Sequence, residues 1–230
     1  MERLNALDHL NADWQHDLAI AHRRIGGLFE QQGKFDDALL DLQASKRILL
    51  GLNQMDPDNL QFRRDLGEVH SLIGVVLKTS TKLEEALQAA SAGKEIMLRL
   101  TNTDPNNIDW KHDLCKVLNR LGDVFYARDS FDDALREHKT AEYIIRQLIK
   151  LGARGADSQE ILNRAYKAIG NIFERKGEPV RAIDEYEHAL EISKQMLTLD
   201  PTSVRWQNEV DTLNSWVQRV RSRIAPEGGS

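Results

Sequence analysis

The same residue pattern returns along this chain every 48 residues, and this period constrains the fold more than any single motif does. An aromatic column holds Trp14, Phe62, Trp110 and Trp206, with Ser158 in its fourth place. A glycine column holds Gly26, Gly74, Gly122 and Gly170, and an alanine column holds Ala38, Ala86, Ala134 and Ala182. Asp-Pro pairs recur in one phase at 56–57, 104–105 and 200–201. Independent columns that agree in this way predict stacked structural repeats.

Each repeat is predicted to begin with an amphipathic helix, here called helix A. In residues 11–58 the apolar positions Trp14, Leu18 and Ile25 are spaced by four and seven, which places them on one helical face. Asn11 precedes this face as an N-cap. Equivalent positions hold further residues of types favoured at N-caps: Asn59, Asn107, Gly155 and Ser203.

A second helix, helix B, is predicted to follow within the same repeat. Gly33 is typical of the end of a helix, and Asp36 and Asp37 put negative charge at the positive end of the next helix dipole. Helix B ends before the Asp-Pro pair at 56–57, because proline cannot continue a helix. Each repeat is therefore a helical hairpin with helices of about 20 residues, each roughly 30 Å long.

The glycine column predicts close helix packing inside each hairpin. A glycine within a helix costs about 0.5–1 kcal/mol relative to alanine, so its recurrence in register needs a compensation. We expect the compensation to be close approach of helix B at the alanine column, as for Gly26 and Ala38.

These residues resemble the tetratricopeptide repeat (TPR) family. The first repeat carries the family pattern at His22, Ile25-Gly26, Phe29, Gly33 and Ala38. The third repeat carries it at Leu121-Gly122, Phe125 and Ala134, and the fourth at Ile169-Gly170, Phe173, Gly177 and Ala182. The usual family period is about 34 residues, so this chain is similar to an elongated variant, of the kind found in bacterial multidomain signalling proteins. The resemblance implies an all-α, right-handed α-α superhelix of helical hairpins.

The period also predicts how the chain is divided. The predicted segments are residues 1–10 as the end of a preceding repeat, 11–58, 59–106, 107–154 and 155–202 as four repeats, 203–224 as a capping helix, and 225–230 as a linker or tag. Because 1–10 matches only the end of a helix B, we expect an open apolar edge at the N-terminal side and a longer parent protein.

Composition and motifs argue against catalysis and against several classes of partner. The 36 acidic and 31 basic residues are mixed and give a net charge of -5, which disfavours a nucleic-acid partner. No apolar run is long enough for a membrane span, and a lone cysteine, Cys115, suits a cytoplasmic protein. No His-x-x-x-His pair, phosphate loop or cysteine cluster is present. We therefore predict no enzyme activity, no cofactor and no metal.

The concave face, which helix A lines in the TPR family, is the remaining candidate site. The resemblance places these groove candidates on it: Arg23, Lys116, Asn119, Asp123, Tyr126, Arg164, Lys167, Asn171 and Arg175. The second half of the set is more basic, and Tyr126 offers an aromatic anchor. The predicted function is a protein-interaction scaffold that binds a peptide or partner domain, with acidic character favoured. A solvated helix face without a ligand is the alternative for these positions.

Other functions remain open on the sequence alone. The repeats could be a regulatory or sensor segment of a larger effector protein. They could also form a homo-oligomer through the N-terminal repeat edge. An RNA-binding helical repeat is disfavoured by the absence of a basic stripe.

Overall fold

The computed structural model describes residues 11–224, and this part of the chain is helical apart from short turns, with no β-strand. The helices are α1 (Ala12–Gln31), α2 (Phe35–Met55), α3 (Leu60–Thr79), α4 (Leu83–Thr103), α5 (Ile108–Ala127), α6 (Phe131–Lys150), α7 (Ala156–Arg175), α8 (Pro179–Leu199) and α9 (Val204–Ile224). Each has 20 or 21 residues, as predicted. The segments 1–10 and 225–230, predicted as a repeat end and a linker, lie outside the described residues.

The A helices (α1, α3, α5, α7 and α9) begin at the predicted caps. The Asn11 side chain accepts a hydrogen bond from the backbone N–H of Asp13 at 2.9 Å, and Asn59 and Asn107 cap α3 and α5 in the same way. Before α9, the Ser203 hydroxyl accepts from the N–H of Trp206 at 3.4 Å. Gly155 precedes α7 without a side-chain bond. These caps satisfy amide groups that the helix itself leaves unpaired.

The B helices (α2, α4, α6 and α8) start and stop at the predicted signals. Acidic pairs occupy the first turn of α2, α4 and α6, whereas α8 starts with Pro179, whose fixed φ suits a first helical position. Three of these helices end at an aspartate that precedes proline: Asp56, Asp104 and Asp200.

The turn from helix A to helix B uses a left-handed residue in every repeat. Gly33 and Gly177 both have a φ of 73°, while Thr81 and Asp129 occupy the equivalent position with φ of 60° and 55°. A side chain in this region is crowded by the backbone, and a β-branched one is crowded most. The left-handed conformation of the turn is therefore kept in every repeat, including at Thr81 and Asp129, where the residue is not glycine.

The chain divides into two compact units, residues 1–128 and 129–230. The described part of the first unit holds α1–α5, and that of the second holds α6–α9. The division falls inside the predicted repeat 107–154, between its two helices. The other repeat boundaries stay a prediction.

Each unit has its own core of apolar side chains, which successive helices contribute. In the first unit the core includes Leu42, Leu49, Leu52, Phe62, Leu66, Val69, Ile73, Val76 and Leu77. In the second unit Phe173 and Tyr186 are the largest fully buried side chains. The last helix, α9, packs on α8 and buries Trp206, Val210, Leu213, Val217 and Val220.

The glycine column lies where helices A and B of one hairpin touch. A Cβ atom at Gly26 would lie 2.8 Å from Leu42 Cγ and 3.1 Å from the Ala38 carbonyl oxygen. At Gly74 it would lie 2.9 Å from Ala90 Cβ and 3.0 Å from the carbonyl oxygen of Ala86. The predicted contact with the alanine column is therefore confirmed at both glycines, and the contact is with the backbone of that column.

The fourth repeat reaches the same close packing with a different neighbour. A Cβ atom at Gly170 would lie 2.5 Å from a ring carbon of Tyr186, which occupies the column of Leu42 and Ala90. The glycine therefore makes room for a buried aromatic ring in this hairpin.

We predict opposite effects for alanine at two helical glycines of the first unit. Gly74→Ala should lower the free energy of unfolding by about 1–3 kcal/mol, because the added methyl meets backbone atoms of α4 that cannot move alone. Gly27→Ala should raise it by about 0.5–1 kcal/mol, because no atom lies within 4 Å of the new Cβ and alanine favours the helix. Urea unfolding measures both. Equal effects of the two substitutions would contradict the packing role of the glycine column.

His70 of α3 is half-buried and has a ring nitrogen without a hydrogen-bond partner in the described part of the chain. His22 and His70 occupy equivalent positions, but His22 bonds to Asp41 Oδ1 at 2.6 Å, while the position equivalent to Asp41 in the next repeat is Ala89. His70 Nδ1 is consequently buried with no hydrogen-bond partner among the described residues. Burial and, to a smaller extent, the charge of Lys46 lower the pKa of His70 to about 4.

We predict that His70 makes the fold sensitive to mild acid. Because its pKa is lowered in the folded state, the unfolded chain binds the proton more readily, and stability is lost as pH falls from about 6.5 towards 4. The partly exposed ring limits the loss to roughly 1–2 kcal/mol. Leucine occupies the equivalent position of the next repeat, at Leu118. His70→Leu should therefore reduce the difference between the free energies of unfolding in urea at pH 7 and at pH 4.5. An unchanged pH dependence would contradict the prediction, and His188→Leu at an exposed site serves as the control.

Candidate functional site

The predicted groove residues lie on A helices of both units. Arg23 is on α1, and Lys116, Asn119, Asp123 and Tyr126 are on α5 of the first unit. Arg164, Lys167, Asn171 and Arg175 are on α7 of the second unit. Each unit is therefore considered by itself.

In the first unit, polar side-chain bonds join the A helices of successive repeats. His16 Nε2 lies 2.7 Å from Asp65 Oδ2, and Arg64 Nε lies 2.6 Å from Asp113 Oδ2. Arg23 bonds to Glu68. Asp65 and Asp113 are almost completely buried, and their bonds to His16 and Arg64 link α1 to α3 and α3 to α5.

The spacing of these pairs follows from the repeat. His16 and Asp65 are 49 residues apart, as are Arg64 and Asp113, while Arg23 and Glu68 are 45 apart. The separation of 49 is one 48-residue repeat plus one residue, and the separation of 45 is one repeat minus three residues. The two differ by four residues, about one helical turn, so both lie on the same side of the neighbouring helix. The A helices are thus joined by a regular ladder of polar bonds.

This ladder engages two of the predicted groove residues of the first unit, Arg23 and Lys116. Arg23 is held by Glu68, with Asp65 at 3.9 Å, and Lys116 Nζ lies 3.4 Å from Asp113. Asn119 is buried at 1% exposure, whereas Asp123 and Tyr126 are half-buried. The first unit therefore presents a face whose charges mainly neutralise each other.

In the second unit the same device links α7 to α9 and surrounds a depression. Lys167 Nζ lies 2.7 Å from Glu209 Oε1, and Arg205 lies 2.7 Å from Glu160. The hydrogen bond to Glu160 raises the pKa of Arg205 above its ordinary value, so its charge persists at every physiological pH.

A carboxylate on α7 gathers further donors beside this depression. Glu174 accepts from Arg219 at 2.7 Å, from Arg223 at 2.8 Å and from the Tyr186 hydroxyl at 3.1 Å. The single hydrogen of this hydroxyl is shared with Asn171 Oδ1, which lies 2.7 Å from the hydroxyl oxygen. Asn171, a predicted groove residue, is therefore fixed by the buried tyrosine.

Arg164 and Arg175 are the most accessible predicted cations of this unit. Both are exposed. Arg175 lies 2.9 Å from Asp129, and its guanidinium is 5.5 Å from the centre of the Phe131 ring. Such exposed pairs are worth about 0–1 kcal/mol, so a ligand can displace them at little cost.

The depression itself has a volume of about 580 Å³ and lies between α7 and α9. We call it the α7/α9 groove, and its lining residues are Lys167, Val204, Arg205, Asn208, Glu209, Thr212 and Trp216. Two cations flank it, and the half-buried Trp216 ring packs on Tyr186 with centroids 5.2 Å apart. Charged donors beside a fixed aromatic ring are a common arrangement in peptide-binding sites.

The α9 residues of the groove were all absent from the sequence-based set. That set followed the A-helix positions only as far as α7, because α9 was interpreted as a cap. Adding 48 to Arg164 gives Thr212, which lines the groove, so the period contained part of the signal. Only the packing shows that Trp216 and Glu209 complete the groove.

The described residues show no feature of a metal centre or membrane span. Between residues 11 and 224, no three His, Cys, Asp or Glu side chains lie where they could hold a metal ion. Within the same range, no helix is both long and apolar enough to cross a bilayer. Cys115 is fully buried.

Comparison with known proteins identifies the fold. No model of a known protein family matches the sequence, and no curated protein is significantly similar to it. PilF of Pseudomonas aeruginosa matches with a TM-score of 0.52 and 17% identity, covering 95% of this chain and 79% of that chain. BtubC (BKLC) from P. vanneervenii gives a TM-score of 0.59 and 15% identity, covering 100% and 89%.

A third solved structure names the repeat directly. A putative kinesin light chain of Podosopora anserina with nearly identical TPR-like repeats gives a TM-score of 0.58 and 11% identity, covering 90% of this chain and 94% of that chain. The chain thus has the all-α, TPR-like repeat fold that the sequence pattern predicted. At these identities the similarity establishes the fold alone.

Proposed function

We propose that this protein is a non-enzymatic protein-interaction module of the cytoplasm, and that its α7/α9 groove binds an acidic peptide or an acidic segment of a partner domain. The observation that carries the proposal is the groove itself, in which Lys167 and Arg205 lie beside the partly exposed ring of Trp216. Arg164 and Arg175 extend the positive charge along α7. The ligand class follows from the charges, and the absence of catalytic motifs supports binding without chemistry.

The carboxylates now bonded to these cations support an exchange mechanism. Glu209 holds Lys167 through both of its oxygens, at 2.7 and 2.8 Å. An aspartate or glutamate of a bound peptide can take the place of Glu209, since one carboxylate bond replaces another. The exchange keeps Lys167 paired before and after binding, which avoids the penalty of an unpaired cation.

Trp216 would supply the apolar part of recognition. Its contact with Tyr186 fixes the ring, and the hydrogen bonds of that tyrosine to Asn171 and Glu174 fix the tyrosine in turn. A ring held in this way loses little conformational entropy when a ligand packs against it. We therefore expect an apolar residue next to the acidic residues of the ligand.

We predict that two substitutions in the α7/α9 groove change the affinity for a peptide ligand in opposite directions. Peptides would be selected from a random display library on the full chain, and the most enriched peptide would be labelled with fluorescein. Lys167→Glu should weaken its binding by at least ~10-fold, because the cation is lost and a repulsive charge is added. Glu209→Gln should strengthen binding by ~3-fold, because Lys167 is released from its internal carboxylate. Fluorescence anisotropy measures both, and affinity should fall with added salt.

Lys194→Glu provides the matched control, since it makes the same charge change at an exposed position of α8 that is not part of the groove. It should leave the affinity within about two-fold of the original chain. Enrichment of basic peptides, or equal losses with Lys167→Glu and Lys194→Glu, would refute the proposed site.

A further inference from the structure

The first described helix carries an apolar stripe that is open to solvent. Trp14, Leu18, Ala21, Ile25 and Leu28, here called the α1 stripe, are spaced by four, three, four and three residues and so lie on one face. The exposed fractions of its four large residues are 55%, 51%, 42% and 56%, in chain order. Such exposure along a whole helical face is unusual for a stable surface.

The equivalent residues of the later A helices are buried. In α3, residues Phe62, Leu66, Val69, Ile73 and Val76 are between 0% and 6% exposed. In α9, residues Trp206, Val210, Leu213, Val217 and Val220 are between 0% and 9% exposed. These helices pack on the B helix of the preceding hairpin, α2 for α3 and α8 for α9. The α1 stripe is thus a repeat-packing surface that no described helix covers.

The size of the stripe argues for a partner. If a fully accessible large side chain exposes roughly 150–250 Å², these fractions amount to about 400 Å² of contiguous apolar surface. Patches of a few hundred Å² on a monomer are often functional. Two such stripes placed together would bury about 800 Å², below the ~1,200–2,000 Å² of standard interfaces, so the association would be weak and micromolar.

Head-to-tail stacking of copies would not place an apolar surface on the α1 stripe. The other end of the described chain is α9, and the face opposite its buried residues carries Asp211, Ser215 and Ser222, all exposed. Placing the α1 stripe on this polar face would desolvate polar groups without giving them new partners.

A second α1 helix, in contrast, matches the stripe. If two copies of α1 lie antiparallel with their centres at Ala21, Trp14 of each helix faces Leu28 of the other, and Leu18 faces Ile25. The pattern is apolar at both ends and small in the middle, where the two helices would cross most closely.

Charges beside the stripe are complementary in the same arrangement. Asp17 and Arg24 lie on one flank of the stripe, both are exposed, and neither forms an ion pair with another residue of the described chain. They are seven residues apart, about 10 Å along the helix, and so cannot pair within α1. A two-fold axis brings equal flanks together, which sets Asp17 of one copy opposite Arg24 of the other, twice.

We propose that a second copy of this chain covers the α1 stripe in a two-fold, antiparallel α1–α1 dimer, flanked by two Asp17–Arg24 ion pairs. The dimer uses the first unit and is independent of the peptide groove proposed for the second. Both partners use the same surface, so the assembly closes at two copies.

The first test is sedimentation equilibrium of the full chain over a range of micromolar concentrations. The original chain should show a reversible monomer–dimer equilibrium. Ile25→Glu should raise the dissociation constant by at least ~100-fold, because it buries unpaired charge at the centre of the interface. Leu40→Glu, at a leucine of α2 that is 67% exposed, is the matched control and should leave the equilibrium unchanged.

The second test is a charge exchange. Asp17→Arg alone and Arg24→Asp alone should each weaken the dimer by ~10-fold, because each places like charges together. The double variant should recover the original affinity, since the pairs are re-formed with reversed signs. Only contacts between copies explain such a recovery.

Three results would overturn the proposal. A chain that stays monomeric at all concentrations shows that something else covers the stripe. A dimer that Ile25→Glu does not weaken lies on another surface. A dimer that the double charge exchange does not restore lacks the antiparallel two-fold arrangement. Circular dichroism of each variant establishes that the helices are intact.

Discussion

The apolar face that each A helix packs on the preceding hairpin is the interaction on which the rest of this structure depends. A single hairpin can bury only the surface between its own two helices, so the other apolar face of helix A must be covered by a neighbour. At Ile73 of α3 and Val217 of α9 this face is buried, and at Ile25 of α1 it is open. One constraint therefore accounts for the stacked core, for the buried apolar face of α9, and for the open surface at α1.

Polar bonds between A helices add register to this apolar packing, and they also shape the candidate site. The pairs His16–Asp65 and Arg64–Asp113 repeat one spacing because the helices repeat. In the second unit the same device holds Lys167 on Glu209 at the edge of a groove. A cation that is paired internally is kept in place, which preorganises it for the carboxylate of the ligand proposed above.

Much of the fold could be predicted from the sequence, and much less of the site. The caps at Asn11 and Asn59 and the close approach at Gly26 follow from local rules and were predicted correctly. Of the residues that line the α7/α9 groove, only Lys167 was among the groove candidates predicted from the sequence. The position of Trp216 on Tyr186 depends on how α9 packs against α8, and no local pattern contains that information.

By itself the sequence determined the helices, their ends and their pairing into hairpins, because caps, glycines and apolar spacing act over a few residues and recur with the period. The tertiary structure alone decided which charges are paired and which surfaces are covered. Lys167 and Glu209 are 42 residues apart, and Asn119 is buried although its position is polar. Trp14 and Trp206 share one column, yet one is exposed and the other buried. Burial and pairing depend on the neighbour that packs against a helix, and the helix's own sequence does not specify that neighbour.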